Sequence, residues 1–134
     1  MFDSSSYVKK LLSHLEDNVT EMLNDIDVIT KFPANYISYP LCNTALVVSC
    51  KKIEFTSVSA NPSGSIVLQI NVYTARDRGL FAHQNVIDQT LNALCSFQDY
   101  SFAEIAADEA DFNRVSSAIC SEITATVNFG QPSA

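Results

Sequence analysis

The sequence predicts an α+β fold, with a mainly antiparallel sheet and two helices packed on one face in the order α-β-β-α-β-β. Three observations carry that expectation. Apolar residues recur in steps of three and four near the start and again after the middle, the period of a helix with one buried stripe. Between and after these stretches they alternate with polar residues, the period of a half-buried strand. With 134 residues, 47% of them apolar and 17% charged, the composition is globular and the length suits a single α+β domain over residues 1–134.

The first helix is expected over about 6–26, with Ser4, Ser5 and Ser6 as possible N-caps. Val8, Leu12, Leu15, Val19, Met22 and Ile26 fall on one stripe that Leu11 and Leu23 widen, opposite Lys9, Lys10, Ser13, Glu16, Asp17 and Asn24. Residues 30–44 hold Pro33, Pro40, Asn35 and Asn43 and read as an irregular connector. Its Phe32, Tyr36, Ile37, Tyr39 and Leu41 pack either on their own domain or on a neighbouring subunit.

A strand over about 45–56 follows. Its alternation changes phase at Lys51-Lys52, which predicts a bulge or bend there. After the turn-rich segment 59–64 comes a strand over about 65–75, with Ile66, Leu68, Ile70 and Val72 on one face, pairing antiparallel with its predecessor. Arg76-Asp77-Arg78-Gly79 ends it. A second helix is expected over about 80–97, with Leu80, Ile87, Leu91 and Leu94 on its apolar side and Phe81 at its edge. A short strand over about 100–106 leads to the acidic segment Asp108-Glu109-Ala110-Asp111, read as a solvated loop or partner contact. The last strand is expected over about 114–129, roughly 50 Å long if unbroken, long enough to bend or to reach beyond its own domain.

Charge narrows the function. The net charge is −7, with six acids against Lys9 and Lys10 in residues 1–30, and six against Arg114 in residues 99–134. No basic stripe exists to neutralise phosphates, so neither nucleic-acid recognition nor adsorption to an acidic membrane is expected. No apolar run approaches the roughly 20 residues of a membrane helix. The chain opens Met-Phe-Asp-Ser-Ser-Ser without an apolar secretory core, so the expected compartment is reducing and the expected state soluble and intracellular.

The sequence holds no recognisable catalytic or metal-binding pattern. His14 and His83 are the two histidines. A triad of Cys95 or Cys120 with His83 and an aspartate can be drawn, yet no nucleophile elbow or cysteine signature supports it, and buried thiols with surface histidines are the simpler reading. Cys42, Cys50, Cys95 and Cys120 are too far apart for a structural zinc site. The segment 108–113 lacks the ligand spacing and turn glycine of a calcium loop. Three glycines cannot build a phosphate-cradling loop. No catalysis, metal or cofactor is expected, although a pair of carboxylates would leave no motif.

Three local patterns resemble one family. The first is the proline-containing entry to the sheet, Tyr39-Pro40-Leu41-Cys42-Asn43-Thr44-Ala45-Leu46-Val47-Val48. The second is the strand ending in a glycine loop, residues 68–79, with Thr74 where relatives often carry proline. The third is Asp111-Phe112-Asn113-Arg114 before the long closing strand. Together they resemble the tail terminator, or tail completion, proteins of long-tailed phages and of phage-tail-like particles such as tailocins. The resemblance implies a ring, typically a homo-hexamer, that docks on the last ring of a tail tube and stops its polymerisation. It would face the sheath, neck or connector, and needs no cofactor. Such a protein works in the host cytoplasm during assembly and then in the tail of the virion or particle, on contractile tails among others. Candidate interface residues are Phe32, Tyr36 and Tyr39, with Lys51, Lys52, Arg76 and Arg78 facing Asp108 and Asp111 of a neighbour. The competing expectations are a small ligand-binding or regulatory α+β domain, with its pocket between helices and sheet, and behind it an enzyme with motif-free carboxylates.

All four cysteines are expected to be reduced in the native protein. Thiol titration of the denatured, unreduced chain should find four; a count of zero overturns the compartment argument.

Overall fold

A computed structural model describes residues 2–19, 26–30, 44–58, 62–99, 101–114 and 118–130. Its elements are helix α1 (Ser4–Asn18), strands β1 (Ile26–Thr30), β2 (Thr44–Ser57) and β3 (Ser63–Ala75), and a 3-10 turn at Arg76–Arg78. Helix α2 (Gly79–Cys95) and strands β4 (Phe102–Ala107), β5 (Asp111–Asn113) and β6 (Ala118–Phe129) complete them. The fold is α+β with a mainly antiparallel sheet. Its strand order is β1-β2-β3-β6-β4, with β5 paired to β6 beyond the end of β4.

The longest ladder joins β3 to β6, from Gly64 opposite Phe129 to Ala75 opposite Ala118. Alternation along it sends Ile66, Leu68, Ile70 and Val72, with Ile123, Ala125, Val127 and Phe129, to one face, and both helices pack there. From α1 come Val8, Leu11 and Leu15; from α2 come Val86, Ile87, Ala93 and Leu94. Each fully buried side chain of this size contributes about 1.5–3 kcal/mol, so this one interlayer carries most of the fold. Gly64 has a local role: a Cβ there would run into the Glu54 carbonyl of β2, so only glycine lets the two strands approach so closely.

The bulge expected at Lys51-Lys52 is present. The β2–β3 register slips between Cys50 and Lys52, so Ile53 returns to the helix side opposite Ile66 while Lys52 stands on the other side opposite Val67. That one extra residue reconciles the two alternation phases.

Four readings are corrected. The first helix ends at Asn18, and Ile26 begins a strand parallel to β2 instead of a last helical turn. The β-branched run Ile26, Val28, Ile29 and Thr30 favours extended backbone, which outweighs the helical spacing of Ile26. The N-cap is Asp3, not a serine: its carboxylate accepts from the Ser5 backbone N–H at 3.1 Å and from the Ser5 hydroxyl at 2.7 Å. The segment 108–113 is not wholly loop, because Asp111–Asn113 form β5 against Cys120–Ala118. Finally, β6 begins at Ala118, Arg114 standing in a turn.

Leu15 is fully buried and Asp17 exposed. Leu15→Asp should therefore cost at least about 3 kcal/mol by burying an unpaired charge, and Asp17→Ala less than about 0.5 kcal/mol. Equal effects in thermal melts would place the apolar stripe elsewhere.

Candidate functional site

The sheet face away from the helices is polar. Gln69, Asn71 and Tyr73 of β3 lie on it, with Cys120 opposite Tyr73 and Glu122 opposite Asn71. All three β3 side chains are buried. Gln69 Nε2 donates to Asn71 Oδ1 at 3.1 Å. Burial pushes the Tyr73 phenol up, and pushes the Cys120 thiol up to about 11, so neither supplies a nucleophile near neutral pH. The bulge at Lys51 sends that side chain back across β3, where Nζ donates to Glu122 Oε1 at 2.7 Å. Glu122, with help from Asp108, holds the ammonium above the ordinary lysine range.

A cleft of about 330 Å³ opens where β4, β5 and β6 meet, lined by Asn71, Tyr73, Asp108, Glu109, Asp111 and Glu122 among others. The Asp108 N–H donates to the Glu122 carbonyl at 2.9 Å, carrying the edge from β4 towards β5. Four carboxylates and one paired lysine make this rim electronegative, so it repels phosphates and other anions. Among the described residues no group of three or more His, Cys, Asp or Glu side chains is placed to hold a metal ion.

His83 sits on the helix side, at the start of α2. Its Nδ1 lies 2.9 Å from Thr74 Oγ1 and its Nε2 2.8 Å from Ser121 Oγ. In the neutral ring one nitrogen donates to its hydroxyl and the other accepts from its own. The imidazole thus ties α2 to two adjacent strands, because Thr74 and Ser121 stand on the same face of the β3–β6 ladder, two rungs apart. His83 is 1% exposed, which corrects its reading as a surface histidine. The triad drawn from the sequence is not assembled: Cys120 faces the far side of the sheet and Cys95, at the end of α2, is exposed. Sequence reasoning missed Thr74 and Ser121. The available signal was that His83 shares a helical stripe with Ile87, Thr90 and Leu94, all of them buried. Leu80 and Phe81, expected on or beside that stripe, are 65% and 95% exposed.

The remaining candidates distribute as follows. Lys52 pairs within its own chain with Glu54 at 2.7 Å. The Arg76 guanidinium lies over the Phe112 ring, 5.5 Å from its centroid, which joins the start of the 3-10 turn to β5. Arg78 is exposed in that same turn. Asp108 and Asp111 line the cleft, and Asp108, proposed to face a neighbour's lysine, also acts on Lys51 of its own chain. Phe32, Tyr36 and Tyr39 lie outside the described residues, as does Cys42. Among the described residues no helix is long and apolar enough to cross a membrane. No family model matches the chain, and no curated protein matches it.

Burial lowers the His83 pKa from 6.5. The folded state therefore resists a proton that the unfolded chain accepts, and stability present above pH 6.5 is lost as pH falls below that value. The loss should run at up to about 1.4 kcal/mol per pH unit. Urea unfolding at stepped pH should show this slope in the native chain and a flatter one in His83→Gln; equal slopes would remove the role given to His83.

Proposed function

We propose that this protein is a structural assembly component, a ring of six copies that caps the end of a phage-type tail tube, stops its polymerisation and joins it to sheath or neck. The observation that carries this reading is where the apolar side chains lie when they are not in the core. Ile53, Phe55 and Val58 of the β2 end, Leu80 and Phe81 of α2, and Phe112 of β5 are all exposed. Ile53, Phe55 and Val58 follow one another along one strand end, and a contiguous exposed apolar run of this kind marks a surface that other protein covers. The family resemblance of the sequence, spread over most of residues 5–129, supplies the kind of assembly. The described succession keeps the order of the six elements on which that resemblance rests, with β1 and β5 added.

The reading calls for no catalysis and no cofactor. A ring with an acidic channel lining would repel DNA phosphates and so favour passage over capture. A ligand-binding domain has less support, because among the described residues the centre of the space between helices and sheet is packed with apolar side chains and the cleft between α1 and the β6 end lies at its margin. Leu11, Leu15, Leu46, Leu68, Ile70 and Leu94 are fully buried at that centre.

Electron microscopy of particles lacking this protein tests the proposal. Overlong or uncapped tubes are expected. Tails of normal, uniform length, still joined to their neck or cap, would overturn it.

A further inference from the structure

Among the described residues the sheet has two open edges at the same height. Ile53 of β2 pairs with Ile66 of β3, Ile66 with Val127 of β6, and Val127 with Phe102 of β4. Among the described residues β1 reaches as far as Val48 on β2, and β5 pairs with the other end of β6. At this level the described sheet is a strip of four strands, with the β2 arm (residues 51–57) on one side and β4 on the other. Every residue of the arm is exposed, as are Ala103, Glu104, Ala106 and Ala107 of β4. Open edges of this kind are ordinarily blunted by lysine or proline. The β4 edge carries neither, and its alanines leave a strand free to approach.

We infer that the β2 arm of one copy adds to the β4 edge of the next, continuing the antiparallel sheet across the subunit boundary. Strand direction allows it. Each neighbour in the strip is antiparallel, and four is an even number, so the two outer strands run in opposite directions. A second copy related by rotation about an axis along the strands then meets β4 with an antiparallel β2, and both keep their helices on the same side. The side chains agree with that joint on both faces. On the helix side Phe55 of the arm would meet Ile105 of β4 and Ile53 would meet Ala107, apolar against apolar. On the far side Lys52 would meet Asp108. A register with Phe55 opposite Ile105 sets Lys52 opposite Asp108, and such cross-strand pairs are what stabilise a sheet. The in-chain pair Lys52–Glu54 is solvent-exposed, so exchanging it for an intersubunit pair costs little. Main-chain bonds give the joint its strength, and the alternating side chains give it selectivity. The contact is heterologous, using different surfaces on the two copies, and so forms a ring when its rotation closes. The inference deepens the ring reading and rests on it only for closure at the tube.

Sedimentation of the full chain and its charge variants tests the joint. The native chain should self-associate. Lys52→Glu alone, and Asp108→Lys alone, should each weaken association at least about tenfold while melting as the native chain does. Mixing the two variants, or placing both changes in one chain, should restore it. Variants that associate as the native chain does, mixtures that fail to recover, or a native chain still monomeric at about 1 mM would each overturn the inference. This failure is distinct from failure of the tail assignment: a Lys52→Glu chain that still caps tubes sinks the joint alone, whereas normal tails without the protein sink the assignment alone.

Discussion

The β3–β6 ladder is the constraint on which the rest of the structure depends. Twelve consecutive residues of each strand pair without a slip, so every side chain along both is committed to one face. A slip of one residue would carry Ile66, Leu68 and Ile70 out of the core and Val67, Gln69 and Asn71 into it. The helices have no alternative seat, since their buried stripes meet only the face this register makes apolar. His83 locks the same register from above: it reaches Thr74 and Ser121 together only if those two hydroxyls stand on one face, two rungs apart. The stability of the whole and the placement of α2 therefore rest on one pairing.

The irregularities lie in β2 and β4, the strands that flank this ladder at the height of the arm, and they determine what the surface offers. The bulge at Lys51 turns one lysine inward across β3 to Glu122 and leaves its neighbour Lys52 pointing to solvent. Two adjacent lysines with the same chemistry thus acquire different tasks, one anchoring the polar face and the other free to exchange partners. The slip between Phe102 and Glu104 in β4 does the converse, setting Phe102 on the apolar side and Glu104 on the polar side of the opposite edge. Both edges therefore repeat the two-sided character of the central ladder, apolar towards the helices and charged away from them. A sheet built this way can be extended by a copy of itself without a mismatch on either face.

Much of this was legible in the residues alone. The helix and strand periods yielded the α+β class, the antiparallel sheet and the one-sided helices, because burial on one face imposes those periods on any sequence. The bulge was legible too, since an inserted residue must shift the phase of alternation. Other features carried weaker local signals. Ile26 fits a helical stripe and a strand equally well, and only its pairing with Thr44 makes it strand. Residues 111–113 are too few for any period to show, and become a strand only because Cys120–Ala118 offer them bonds. For the surface chemistry the limit is the same. The sequence by itself determined which residue types were present, the acidic balance and the two-faced strands. Tertiary structure alone decided that Lys51 turns to Glu122, that His83 is buried between two hydroxyls, and that the β2 arm and β4 stand at one height on opposite edges. The physical reason is that alternation and helical period are properties of neighbours along the chain, whereas these contacts join residues 9 to 71 positions apart, whose meeting depends on ladder register.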